Sequence, residues 1–462
     1  MNRTKDCDPR VFMFYVCMPR MSRLGLAIGR TPRITHEVLE QANFSISLVW
    51  NRRRNMKKFY DQPVFAKGRN VVGIDIGKNK HSAFAITSGG ETIAALASFT
   101  NDREGVDRLE EGVLKPAGGS RKQLFSMEAT GHYWMALYHE LVRRGYQGVV
   151  LNPIQTHGEA RTRIRKTKTD QRDAEGIARF ILTGKAHAAR IPDEPTLELR
   201  ILVRRRHRLV QMKGDIERGA QSLTDRVFPE YNRCLCKPFL PSARAMIRAV
   251  GIAPGGIVED EGLTREVLTR AGHNLLKPER IDNLIQQARG SIGIGRAGNV
   301  ISDEMRATID LLDDFELQIA EIEYQLECRM EELASPLLSL GIKAPLAAAI
   351  HAESDPVSDF PSARQYAAYA GLEPSTFESG QMRATQTHIS KRGSPHLRHA
   401  LYLSAFVIYR KHDHFHRIYQ RFRKKGHRHN DALVIVARRL ALVVWRMLKD
   451  NRPFSKRPPK RN

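Results

Sequence analysis

Four acidic residues stand where a folded chain could gather them: Asp75, Glu128, Asp170 and Asp173. Asp75 ends the apolar run that starts at Val71, and Gly77-Lys78 follow almost at once. Glu128 closes the run Gln123–Met127 in the same way. A buried strand that ends on a carboxylate and then turns can supply one side of a metal site. Asp170 and Asp173 are three residues apart, so on a helix they share a face. Thr169 is placed to cap that helix. Four converging carboxylates without arginine partners repel one another unless cations lie between them. Two Mg2+ ions about 3.5–4 Å apart are the usual remedy, and such a pair clamps the attacking and leaving oxygens of a phosphodiester. Taken singly, each acid reads as a surface carboxylate or a cap. The four together, in strand and helix context, point to a metal site.

A second group lies some three hundred residues downstream. Ser379-Gly380 falls in a loop after Ala370–Pro374 and could present a hydroxyl to phosphorus, given a base or a metal to activate it. Ser-Gly in a loop is also an ordinary turn. Ser390 competes with it, and its neighbours Lys391, Arg392, His396 and Arg398 have the chemistry of phosphate contacts. So do Lys78 and the basic connector with Arg163, Arg165, Lys166 and Lys168.

The chain around these residues has 462 positions, with 75 Lys and Arg against 50 Asp and Glu, a formal charge of +25. That excess is too large for an ordinary metabolic enzyme. It suits a polyanionic partner whose counterions are released on binding, which is to say nucleic acid. Five cysteines form no framework, and the Cys234/Cys236 pair has no second pair to complete a zinc site. A reducing, cytoplasmic compartment is therefore expected. No membrane segment is expected either, since the best candidate, Ala432–Leu448, is interrupted by Arg438 and Arg439. Gly293–Gly298 matches G-x-G-x-x-G but follows a helix-like segment, so a dinucleotide site is not expected.

The elements that must position the acids follow from periodicity. Strands are predicted at Val71–Asp75, His81–Thr87, Ile93–Phe99, Gln123–Met127 and Gly148–Leu151. Helices are predicted at Asn101–Leu114, with Asn101 as cap, at His132–Arg144, and from Asp170 through Leu182. Three strands in meander followed by alternating helix and strand fit an α/β RNase H-like mixed sheet, assigned to 69–190. Residues 195–335 read as a helical, coiled-coil linker. Leu197–Val227 is one long helix, and apolar residues from Ile309 to Leu333 mark another, packed on the first or on a partner subunit. Residues 336–450 read as a mainly α C-terminal domain. Leu337–Ile350 resembles half of a helix-hairpin-helix, and helices follow at Pro395–Tyr409, Phe415–Lys425 and Asp431–Lys449. The tail 451–462 is expected to be basic and disordered. Residues 1–68 are basic and aperiodic, either a flexible nucleic-acid-binding arm or sequence upstream of a true start at Met56.

These motifs, in this order, resemble the DEDD transposases of the insertion sequence 110 family, including its 1111 subgroup and the related site-specific invertases. The resemblance rests on GIDIGKNKHSAFAI, MEATGHY, KTKTDQRDAEGIA, FPSARQYAAYAGLEP, ESG, HISKRGSPHLRHALY and VARRLALVVWRML, and it spans about 70–450. It implies a RuvC-like domain in which Asp75, Glu128, Asp170 and Asp173 bind Mg2+, two ions per site. It also implies a C-terminal domain whose nucleophile is Ser379, joining DNA through a covalent phosphoserine. The implied partners are donor and target DNA and a structured guide RNA from the element. The implied working unit is a homo-oligomer, dimer or tetramer, with acids from one subunit and serine from another. A RuvC-like nuclease or junction resolvase using water, or a non-catalytic nucleic-acid-binding derivative, are the alternatives. The chain departs from the family at Gly341-Ile342-Lys343, where the family hairpin reads Gly-Ile-Gly.

Overall fold

The computed structural model describes residues 66, 68–153, 155–156, 169–189, 191–235, 239–272, 276–295, 297–374, 378–379, 382–383 and 389–455. The expectations for residues 1–65, for Arg163, Arg165, Lys166 and Lys168, and for the end of the tail lie outside them.

Strand β1 (Asn70–Ile76), β2 (Lys80–Ile86) and β3 (Thr92–Thr100) form an antiparallel meander. Strand β4 (Gln123–Glu128) lies parallel to β1, and β5 (Gly148–Leu151) lies parallel to β4. The order β3-β2-β1-β4-β5 makes a mixed five-stranded sheet, consistent with the RNase H-like expectation. Because side chains alternate along a strand, each strand feeds two cores. Val72, Ile74 and Ile76 join Phe125 and Met127 on one face, under helix α1 (Arg103–Leu109) and helix α2 (Trp134–Arg143). Val71, Phe84, Ile86 and Leu124 face the other way, onto helix α3 (Asp170–Leu182) through Ala174, Ile177, Ala178 and Ile181. Leu109, Leu137 and Leu141 are almost wholly buried, each contributing about 1.5–3 kcal/mol.

Two local expectations shift. The cap of α1 is Asp102 and not Asn101. The Asp102 carboxylate accepts the Gly105 N–H at 2.8 Å and the Thr100 hydroxyl at 2.8 Å, which Asn101 is not placed to do. After Leu109 the helix continues as a π-helical turn, Glu110–Leu114.

Helix α4 (Glu194–Val227) and helix α9 (Gly298–Glu332) form an antiparallel pair, stapled by Arg329–Glu198, Arg206–Glu323 and Lys213–Glu316. Helix α9 begins eleven residues before the apolar repeat that signalled it, because its first turns pack on the inserted helices. These are α5 (Pro241–Val250), α6 (Pro254–Glu259), α7 (Glu261–Ala271) and α8 (Pro278–Arg289), which share a core with Val227, Met305 and Ile309.

The C-terminal region is mainly helical: α10 (Ala344–Ser354), α11 (Ala363–Tyr369), α12 (Pro395–Lys411), α13 (Asp413–Lys424) and α14 (His429–Asp450). A short hairpin of β6 (Glu378–Ser379) and β7 (Met382–Arg383) lies between α11 and α12. The core of the C-terminal region takes in Leu199 and Val203 of α4 and Ile322, Leu326 and Met330 of α9. The residue before α10 is Lys343 at φ −69°, so this position asks for no glycine, while Gly341 at φ +70° does. The tail departs from expectation at its start. Arg452 N–H bonds Met447 O, Phe454 N–H bonds the Ser339 hydroxyl at 2.7 Å, and the Phe454 ring packs against His412 and Phe415. Among the described residues no helix is long and apolar enough to cross a membrane.

Candidate active site

Asp75 and Glu128 occupy the C-terminal ends of neighbouring parallel strands. Ile74 pairs with Met127, so the next residue on each strand is one of the two acids. Asp75 shares the parity of Val71 and Gly73, and Glu128 that of Leu124 and Ser126, so both carboxylates leave the sheet on the α3 face. Both side chains are half-buried.

Helix α3 crosses β1 at Gly73. A Cβ there would lie 2.6 Å from Ala178 N and closer still to the Ala174 carbonyl oxygen. The far end of α3 lies toward the β2–β3 turn, where a Cβ on Gly90 would meet the Arg179 guanidinium at 3.5 Å. That turn sits beside the start of β1, since Ile86 pairs with Val71. Helix α3 therefore runs against β1, and its N-terminus lies by the strand ends that carry Asp75 and Glu128. Asp170 and Asp173 are in its first turn, one turn before the apolar stripe of Ala174, Ile177 and Ala178. The predicted cap is present: the Thr169 hydroxyl accepts the Arg172 N–H at 3.3 Å. The free N–H groups of this first turn favour negative charge, which offsets part of the repulsion among the acids.

Two neighbours that the sequence did not single out complete this end of the sheet. The Thr156 hydroxyl donates to Glu128 Oε2 at 2.7 Å and fixes that carboxylate from the segment after β5. Ser82 stands directly opposite Asp75, and its hydroxyl is buried without a partner among the described residues. An all-oxygen donor set of this kind suits a hard divalent cation such as Mg2+. The four acids border one end and one face of the sheet. Among the described residues, however, no three acidic, histidine or cysteine side chains stand close enough to form a finished ligand cage. The donors fit the ion in kind and in side, and their closure around it is a step the fold leaves open.

Lys78 is exposed in the turn between β1 and β2, three residues past Asp75. Ser379 lies on the other part of the chain. It pairs with Met382 in the two-stranded sheet of β6 and β7, and Pro374 and Ile389 are bridged on either side of that pair in the chain. Among the described residues this hairpin is a sheet of its own, separate from the one bearing the acids.

At the hairpin's base, Ser390 N–H bonds Glu373 O and Ser394 N–H bonds Tyr369 O, pinning the loop that carries Lys391 and Arg392. Both cations are exposed. The other two candidates here turn inward. Arg398 donates to Ala370 O and Lys391 O, so it clamps the loop. The His396 ring packs edge-on to His207, and burial, aided by Arg204, pushes its pKa down, which disfavours the charged form a phosphate would want. Beneath the loop, Glu353 is 2% exposed and holds Arg204 at 2.8 Å and the Ser394 hydroxyl at 3.0 Å. No local pattern marks Glu353, because its partners lie far off in the chain, one on α4 and the other capping α12.

Two family models match the chain. One, a DEDD model described as a transposase, matches residues 72–229, from within β1 to just past the end of α4. The other, described as the transposase IS116/IS110/IS902 family, matches residues 338–420. The chain is similar to the pilin gene-inverting protein of Moraxella lacunata, 23% identical over 396 residues, covering 84% of this chain and 98% of the relative. It is also similar to the insertion element IS116 uncharacterized 44.8 kDa protein of Streptomyces clavuligerus, 25% identical with 84% and 96% covered. The insertion element IS900 uncharacterized 42 kDa protein of Mycobacterium paratuberculosis is 26% identical with the same coverage.

Proposed function

Because the chain belongs to the IS116/IS110/IS902 family of transposases, we propose that it cuts and rejoins DNA strands with Asp75, Glu128, Asp170, Asp173 and Ser379. One observation carries this reading. Asp75 and Glu128 leave adjacent strand ends on the same face of the sheet, and the α3 N-terminus brings Asp170 and Asp173 to that end.

Divalent cations held there, Mg2+ by preference and two by the usual arrangement, would neutralise the scissile phosphate and lower the charge cost of an attacking oxygen. The chain's own part is positional. Thr156 orients Glu128, the α3 dipole steadies Asp170 and Asp173, and Lys78, Lys391 and Arg392 take backbone phosphates. The connector cations Arg163, Arg165, Lys166 and Lys168 belong to the same proposed contact set.

Ser379 supplies the nucleophile. Its oxygen bonds phosphorus, a deoxyribose oxygen departs with a proton, and a DNA hydroxyl later reverses the exchange. Every step trades one phosphoester for another, so no external energy source is required. The hairpin setting of Ser379 supports a composite site. Ser379 lies in a sheet separate from the one that bears the acids, which favours its delivery into the acids of another subunit in a dimer or tetramer. A structured RNA that pairs with donor and target DNA belongs to the same reading, on the strength of the resemblance, as does action in the cytoplasm.

The test is recombination between two plasmid-borne sites by the full chain, with the element's flanking RNA present. Asp75→Asn and Ser379→Ala are each expected to abolish product. Cleavage that persists in Ser379→Ala would reassign the chemistry to water.

A further inference from the structure

The basic excess of this chain is not spread evenly in effect. Most arginines of the helical pair and its inserted helices are answered inside the protein. Arg206 meets Glu323, Arg244 meets Asp313 and Glu316, Arg248 meets Asp310, and Arg265 meets Asp282. Even Arg218, its side chain 73% exposed, is paired with Asp215. The stretch from Arg410 to Arg428 is the reverse, with eight Lys and Arg against one acid, Asp413.

Helix α13 organises these charges. Phe415, Ile418, Tyr419 and Phe422 turn inward, with Phe415 fully buried. Arg417, Arg421 and Lys424 recur at four and three residues on the opposite, exposed face. Among the described residues none of the three has an ion pair or hydrogen bond within the protein. The flanking cations are fixed without being neutralised: Arg410 lies 4.4 Å over the Phe406 ring, and Lys425 lies 5.8 Å from the Phe422 ring centre. An exposed row of unanswered cations on a helix anchored by its apolar face repels itself, and a polyanion relieves that repulsion.

We propose that the outer face of α13 is a phosphate-tracking surface for double-stranded DNA, outside the candidate active site, with Arg417, Arg421 and Lys424 as its contacts. The row spans about 10 Å at 1.5 Å per residue, matching about three base pairs along a duplex. A duplex is the occupant that fits, because the row is straight and Phe415, Tyr419 and Phe422 of α13 turn inward, away from the face that carries the charge. This surface rests on the reading of the chain as a DNA-acting enzyme, but not on the identity of its catalytic residues.

The test is binding of the full chain to a random-sequence 30-base-pair duplex by fluorescence anisotropy between 50 and 200 mM salt. Each phosphate contact contributes about 0.9 to the slope of log K against log salt, so R417Q/R421Q/K424Q lowers the slope by about 2.7. Across that fourfold salt range the native chain then loses about forty times more affinity than the variant. R218Q, exposed but internally paired, leaves the slope unchanged. Thermal unfolding of the triple variant confirms that it is folded. An unchanged slope in the folded triple variant overturns the proposal. So does an equal fall in R218Q, or a fall seen only with single-stranded RNA as probe. Loss of recombination in Asp75→Asn or Ser379→Ala tests the active site separately from this surface.

Discussion

Gly73→Ala is the sharpest structural test of how α3 is held over the sheet. The perturbation is one methyl group. Its Cβ would lie 2.6 Å from Ala178 N, 3.1 Å from Ala178 Cβ and nearest of all to the Ala174 carbonyl oxygen. Two of these are helix backbone atoms that cannot rotate aside. Ordinary contact needs about 3.5 Å, so α3 must shift outward by about 1 Å. Overpacking of this kind costs about 1–3 kcal/mol. The consequence for the site is larger, because Asp173 is the residue before Ala174 and moves with it. A displacement of about 1 Å at reacting groups costs roughly a hundredfold in rate. The assay is paired: thermal unfolding for the packing cost, and strand cleavage well below the transition for the positional cost. Gly219→Ala is the control. Gly219 lies in α4 with nothing within 4 Å of a Cβ, so that variant should gain about 0.5–1 kcal/mol from helix propensity. Gly73→Ala with native stability and native cleavage would refute both the close crossing and its role in placing the acids.

Other consequences follow from single contacts. Thr156→Val removes the hydroxyl that orients Glu128, and should lower divalent-metal affinity by about 10- to 100-fold with unfolding unchanged; titration by calorimetry reads it. Glu353→Ala strands Arg204 and the Ser394 hydroxyl at a buried position and should cost about 2–4 kcal/mol, the lower end if Arg204 recovers water, as measured by chemical denaturation. Arg244, with help from Lys213, holds Glu316 down from 4.5 to about 2. A depressed carboxylate stabilises above its unfolded value, so this contribution is complete above pH 4.5 and fades as the pH falls toward about 2. Glu316→Gln should therefore lower stability at pH 7 by about 1 kcal/mol after solvent screening, and the gap to the native chain should close below pH 4.5. Finally, a transcript of the flanking element end should bind the full chain more tightly than a shuffled RNA of equal length. Equal binding would remove the guide from the proposed mechanism.

How much of this was legible depends on range. The five strands stand within a residue or so of their predicted bounds, because alternation and apolar runs are local signals that tertiary packing reinforced. The Thr169 cap and the placing of both aspartates on α3 were legible for the same reason. The choice of Asp102 over Asn101 was not, since both residues cap well and the Thr100 hydroxyl decides between them. The role of Gly73 was half-written: a glycine inside a buried strand signals close approach, but only the fold shows what approaches. His396 and Arg398 share their local sequence with Lys391 and Arg392. They differ because α4 and the Ala370 carbonyl lie behind them, and sequence spacing does not carry that contact. Phe454 is the same case, a tail residue ordered by Ser339 and His412 from far away in the chain.

That the acids at the ends of β1, β4 and α3 act on the same phosphate as Ser379 is tested most directly by trapping the covalent intermediate. Labelled element-end DNA is incubated with the full chain, Mg2+ and the flanking RNA, then resolved under denaturing conditions. The expected result is a protein-linked DNA band whose modified peptide contains Ser379, absent with Ser379→Ala, absent with Asp75→Asn and absent in chelator. A linked band that survives either substitution, or that maps to Ser390, contradicts the account.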